Sequence, residues 1–159
     1  MAGKNKKKKS DDNTIARNRK AYHDYLILEE WEAGIVLVGS EVKSLRAGLA
    51  NLSDSYVVDE GDEMYLLNSY IGEYKQARGR NHEPKRKRKL LLHKSEINKI
   101  AGRLINRGLT VVPLSMYFNR KGIAKVKIGL AQGKAEYDKR DAEKKRDWDR
   151  EKGKLLRDK

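Results

Sequence analysis

The residues of this chain best suited to chemistry are cations. Between Lys75 and Lys94 runs KQARGRNHEPKRKRKLLLHK, nine Lys or Arg against one acid, Glu83, a local charge of +8. Cations set this close displace counterions from a polyanion, and nucleic acid is the usual polyanion. Leu90, Leu91 and Leu92 follow the run directly, then His93. Three consecutive leucines call for burial, so they should pin the run to a folded body. A pinned cationic surface loses less entropy on binding than a free, solvated loop. Arg86, Arg88 and Lys89 are therefore candidate nucleic-acid contacts, and Lys43, Arg46, Lys125 and Lys127 extend the set.

Catalytic chemistry is poorly served. The three histidines, His23, His82 and His93, share no metal-ligand spacing with one another, and there is no cysteine. That excludes disulfides, thiol catalysis and cysteine-ligated zinc. Neither a Walker-type phosphate loop, nor a G-x-G-x-x-G turn, nor a serine nucleophile elbow is present. His23 and Asp24 read as strand neighbours and should point to opposite faces. The acids Asp59, Glu60, Asp62 and Glu63 lack calcium-loop spacing and read as a solvated hairpin tip. The expectation is a binding protein without catalytic residues, metal or cofactor.

The 159 residues carry a net charge of +14 and suffice for one domain with tails. Residues 1–20 hold +6, residues 21–74 hold −9, and every later segment is positive. An acidic part beside a basic part should orient a polyanion as well as attract it. No apolar run approaches the ~18 residues of a membrane span, and the N-terminus lacks an apolar signal core.

Residues 1–20 read as a disordered basic arm, residues 21–134 as the folded domain and residues 135–159 as a tail. Tyr22–Leu28 reads as a strand continuing to Glu32, with a bend at Ala33-Gly34. A short helix follows, with Ser40 as its N-cap and Gly48 as its stop. Asp54–Asp59 and Met64–Ile71 form a hairpin about Glu60-Gly61-Asp62. Ser95–Arg107 is the clearest helix, with Ile97, Ile100, Ala101, Leu104 and Ile105 on one side. Thr110–Phe118 and Ile123–Ala131 close the domain as strands, the latter with lysine on its outer face. A helix between the third and fourth main strands matches a mainly β, OB-fold-like closed antiparallel barrel. From Ala135 onward charges alternate without a continuous apolar face, so the tail should order only against a partner.

Several segments together resemble one family. Glu32-Ala33-Gly34-Ile35, Gly39-x-Glu41-Val42-Lys43-Ser44-Leu45-Arg46, Asp54-Ser55-Tyr56, Arg86-x-Arg88-Lys89-Leu90-Leu91-Leu92-His93, Gly108-x-Thr110-Val111-Val112-Pro113-Leu114 and Tyr137-Asp138-Lys139-Arg140 are similar to the SmpB family, bacterial tmRNA-binding proteins. The resemblance spans about residues 14–159. It implies an OB-like barrel and a cytoplasmic adaptor of trans-translation. Its partners would be the tRNA-like domain of tmRNA, the small-subunit decoding centre and mRNA channel of the ribosome, and, through alanyl-tmRNA, elongation factor Tu. The family's RNA-binding positions fall on Glu32, Leu91 and His93, with His23 placed on the same strand as Glu32. The tail motif falls on Gly133, Tyr137, Asp138, Lys139 and Arg140, and Lys144, Lys145, Arg146 and Trp148 extend it. Gln132 and Ala135 depart from the family pattern, which carries basic residues there.

Overall fold

The computed structural model describes residues 13–157 except Arg78. Nine strands and four helices alternate along them: β1 (Thr14–Arg17), α1 (Arg19–Asp24), β2 (Tyr25–Ile35), α2 (Gly39–Arg46), β3 (Ala50–Asn51), β4 (Tyr56–Glu60), β5 (Glu63–Leu67), β6 (Tyr70–Ile71), β7 (Arg88–Leu91), α3 (Lys94–Leu104), β8 (Leu109–Phe118), β9 (Ala124–Gly133) and α4 (Lys134–Arg157). The fold is mainly β with a few helices. Seven strands form one antiparallel sheet in the order β1-β8-β4-β5-β7-β2-β9, and β8 also pairs with β9. The small pair β3–β6 stands apart.

Period-2 patterning accounts for the core. Ala124, Val126, Ile128 and Leu130 of β9 point inward, meeting Val111 and Met116 of β8 and Leu90 of β7, all buried. Ile97 and Ile100 of α3 join the same core. β4 and β5 are joined by a two-residue turn, Gly61-Asp62, with φ of +56° and +64°. Both central residues left-handed is the turn whose twist suits a hairpin.

Several elements differ from the sequence-based expectation. Part of the N-terminal arm is a strand: Thr14 and Ala16 pair with Tyr117 and Met116, and Ile15 and Ala16 pack on the core. Residues 1–12 of that arm lie outside the described residues. Tyr22 begins no strand but sits in α1, because Asn18 caps that helix. The Asn18 Oδ1 accepts from the Ala21 amide (3.2 Å) and its Nδ2 donates to the Pro113 carbonyl (2.9 Å). The irregularity of β2 falls between Ile27 and Glu29, while Ala33 and Gly34 keep regular register. Ser40 is not the cap of α2. Val38 holds that position, its amide donating to Glu41 (3.0 Å), and the Ser40 hydroxyl meets His82 Nδ1 instead (2.8 Å). α3 ends at Leu104, leaving Ile105 84 % exposed.

The chain from Lys134 to Arg157 is one 24-residue helix continuing from β9. Lys, Arg, Glu, Leu and Ala make up most of it, and it has no β-branched residue, so backbone propensity favours helix without a docked face in spite of four Asp and Gly153. Lys144 through Lys152 are exposed.

Candidate nucleic-acid interface

The basic run is threaded through the fold rather than displayed along it. In β7 Arg88 and Leu90 face inward, both fully buried, while Lys89 and Leu91 face outward. Arg88 was expected among the phosphate contacts, and its environment corrects that. Its Nε donates to Glu41 (2.5 Å), its Nη1 to the Ser69 carbonyl (2.8 Å) and hydroxyl (3.0 Å), and its Nη2 to the Pro84 carbonyl (3.0 Å). A guanidinium so enclosed locks the loop to α2 and β6. Arg86 lends its Nη2 to the other oxygen of Glu41 (2.5 Å). Burial pushes the Glu41 carboxyl up, but hydrogen bonds from Arg86, the Val38 amide and Arg88 outweigh it and hold it below its ordinary value. Lys87 pairs with Glu60 and lies over the Tyr65 ring, and Lys89 approaches Glu63 (3.4 Å). The hairpin-tip acids Glu60 and Glu63 therefore hold these lysines in place. His82 pins the same loop, meeting the Ile71 carbonyl through Nε2 at 2.9 Å.

The three leucines do not share one fate either. Leu91 is 53 % exposed. It pairs with Gly34, which pairs on its other side with Lys125. A side chain at Gly34 would bring a Cβ to 3.1 Å of the Leu91 Cβ, so the glycine lets Leu91 lie across β2. Two residues back along β2, Glu32 pairs with Lys127, and beyond Lys125 stands Tyr117 of β8. Paired residues and alternate residues share a face, so Leu91, Glu32, Lys125, Lys127 and Tyr117 form one outer surface across four strands. His93 is the N-cap of α3, two residues after Leu91 ends β7. The Tyr117 hydroxyl donates to Glu32. Lys127 is held by Glu30 (2.8 Å), a hydrogen bond that raises the ammonium pKa.

His23 lies elsewhere. It sits on α1, not on the strand of Glu32, and Tyr25 is seven residues from Glu32, roughly 23 Å along β2. His23 Nδ1 meets Asp24 at 2.9 Å, contrary to the opposite-face expectation, because the two are helical neighbours at the surface. Lys43 and Arg46 are exposed on α2, with Lys43 over the Tyr74 ring at 5.4 Å, so they flank the basic loop and not the Glu32 surface. Gly133 ends β9 opposite Tyr25, and the departing residue Gln132 is buried beside it. Tyr137, Asp138, Lys139 and Arg140 fall in α4, their side chains outside the described residues. Lys144, Lys145, Arg146 and Trp148 are exposed, Trp148 by 65 %.

Sequence reading missed a groove of about 970 Å³ beside Glu32, between the β1–α1 junction and the β8–β9 turn. Arg17, Arg19 and Arg120 line it, and among the described residues none has an acidic partner. The one signal in the sequence was Arg120-Lys121 in a turn, which reads as ordinary solvation. Among the described residues no group of metal-ligating side chains occurs and no helix is long and apolar enough to cross a membrane.

A sheet face that carries Lys125, Lys127, the Tyr117 ring and the acids Glu30 and Glu32, beside a groove lined by Arg17, Arg19 and Arg120, suits a polyanion-binding protein. Comparison with known proteins gives the family. Its profile, described as SmpB protein, matches residues 15–158. The chain is 60 % identical over 141 residues to the SsrA-binding protein of Wolbachia pipientis wMel, covering 89 % of this chain and 95 % of that one. It is 54 % identical over 143 residues to the SsrA-binding protein of Agrobacterium fabrum, covering 90 % and 89 %. A solved structure described as "tmRNA-SmpB: a journey to the center of the bacterial ribosome" contains a chain 53 % identical, with a TM-score of 0.64 over 74 % of this chain and 82 % of that one. The chain belongs to the SmpB family.

Proposed function

We propose that this chain is the tmRNA-binding adaptor of trans-translation. It grips the tRNA-like domain of tmRNA and stands where an anticodon arm would be. With elongation factor Tu it brings alanyl-tmRNA to stalled ribosomes, and α4 enters the empty mRNA channel. The observation that carries this reading is the outer surface on which register joins Glu32, Leu91, Lys125 and Tyr117. Family membership supplies the kind of RNA. The architecture is a closed barrel of the OB type. Its support is the double pairing of β8, which lets six strands pair in a ring through β4, β5, β7, β2 and β9. The chain works in the cytoplasm as an adaptor and not as an enzyme.

A reconstituted translation reaction with ribosomes stalled on truncated message tests the proposal. Tagged peptide should rise by roughly 100-fold or more when this chain joins tmRNA, alanyl-tRNA synthetase and elongation factor Tu, since positioning contributes effects of that order. Tagging at the same rate without the chain would refute the adaptor role.

A further inference from the structure

β9 passes directly into α4, and little in the fold fixes the angle between them. Gly133 ends the strand and Lys134 begins the helix. A Cβ at Gly133 would meet no atom within 4 Å, so no packing braces the junction there. From Lys144 to Lys152 the side chains of α4 are exposed. Among the described side chains, one hydrogen bond ties α4 to the rest of the chain. The Lys134 ammonium donates to the Tyr22 carbonyl at 3.0 Å, 112 residues away in sequence.

That carbonyl is open because of where α1 stops. The last carbonyls of a helix have no partner within it. The Tyr25 amide takes that of Ala21, and Lys134 takes that of Tyr22, next in line. Strand pairing brings the two together, since Gly133 lies opposite Tyr25. α1 is itself a fixed base. Asn18 caps it and donates through Nδ2 to the Pro113 carbonyl of β8 (2.9 Å), and the Asn18 amide donates to the Leu114 carbonyl (2.8 Å). No adjacent cation can take over the contact, because Gln132 and Ala135 flank the Gly133-Lys134 pair.

The length of α4 gives this one contact leverage. A helix of 24 residues is about 36 Å long. A turn of roughly 20° at Gly133 therefore sweeps its far end by about 12 Å, the diameter of a helix. A bond of little consequence for the stability of the fold thus decides where Trp148 and the cations before it stand. Deepening the adaptor reading above, and resting on it for the tagging outcome, we propose that Lys134 is a positioning residue for α4. Its hold on the last turn of α1 sets the direction in which the tail leaves the β body.

The chain has no cysteine, so Asn98→Cys on α3 and Lys152→Cys on α4, both at exposed positions, carry the only two spin labels. Electron–electron distance measurement on the full, free protein gives the spread between them. With Lys134 in place a single narrow peak is expected. Lys134→Met keeps the stem and removes the donor. It should widen the spread by about 10 Å with an unchanged melting temperature, since the side chain is exposed. Lys134→Arg keeps a donor and should restore the narrow peak. In the reconstituted reaction, unlabelled Lys134→Met should lower tagging by roughly tenfold, the scale of a misplaced group. Its affinity for tmRNA should stay within about twofold of the parent, and Lys134→Arg should recover tagging. An unchanged spread in Lys134→Met overturns the inference. So does a loss of tmRNA affinity that accounts for the whole tagging defect, which would make Lys134 a phosphate contact. If the parent supports no tagging while the distances respond as described, the adaptor reading falls and the hold of Lys134 on α4 stands.

Discussion

Deleting the chain from Asp138 onward abolishes peptide tagging and leaves affinity for tmRNA within about threefold, since few net counterions are involved. Residues 135–159 hold ten basic and eight acidic groups, a net charge of only +2. Such a segment attracts RNA weakly in bulk. Its charges are arranged instead along a helix whose exposed side chains find no partner on the β body from Lys144 to Lys152. Trp148, 65 % exposed, is a large apolar surface that a soluble helix gains nothing by displaying. Lys144, Lys145 and Arg146 precede it by one turn or less. A narrow channel walled with phosphate would accept both features at once, cations on the backbone and the indole in a cleft. Trp148→Ala and the triple alanine variant at Lys144, Lys145 and Arg146 should each give part of the tagging defect. Truncated protein that tags at the full rate would limit the function to RNA binding.

Arg88→Ala destabilises the fold by about 3–5 kcal/mol, because it leaves the buried Glu41 carboxylate without its inner partner. For a chain of this length that is a fall of roughly 10 °C in melting temperature. Lys89→Ala, one residue on and facing outward, should cost no more than about 0.5 kcal/mol. Replacing Glu41 and Arg88 together by Gln and Met should recover much of the loss, since no buried carboxylate is then left unpaired and Arg86, 33 % exposed, keeps access to water. The Glu41 carboxyl is held below its unfolded value of 4.5, so its stabilisation is fully present above about pH 4.5. It is lost as pH falls through the lower folded value. The double variant should therefore show a flatter stability profile below that pH. An Arg88→Ala protein that melts like the parent but has a shallower salt dependence of RNA binding would restore Arg88 as a phosphate contact.

The sequence showed those features whose cause is local. Alternation in β9 and the 3.6-residue spacing of Ile97, Ile100, Ala101 and Leu104 are visible because each residue reports its own burial. The Gly61-Asp62 hairpin was visible for the same reason. Arg88 was not. In a run of five consecutive cations nothing marks which one a strand turns inward, and the decision rests on Glu41 and Ser69, 47 and 19 residues distant. α1 was missed because its cap, Asn18, is secured by a carbonyl 95 residues on. Of the candidate site, Glu32, Leu91, Lys125 and Lys127 were identified, but their juxtaposition depends on strand register. Tyr117 and the groove arginines stayed hidden, since β1 lay in a segment whose composition reads as an arm. The tail read as ordering only against a partner; Lys134–Arg157 is nonetheless one helix, with Lys144 through Lys152 exposed. Its helicity depends on propensity, which needs no docked face.

Competition binding tests the central claim most directly. The full chain is bound to labelled tRNA-like domain of tmRNA at fixed, near-physiological salt, then challenged with the same domain unlabelled, with bulk tRNA and with unstructured RNA. The account predicts that the tRNA-like domain competes at roughly 100-fold lower concentration than either alternative, within the range that separates specific from nonspecific nucleic-acid binding. Equal competition by all three RNAs would contradict it and leave a general RNA binder on the same fold.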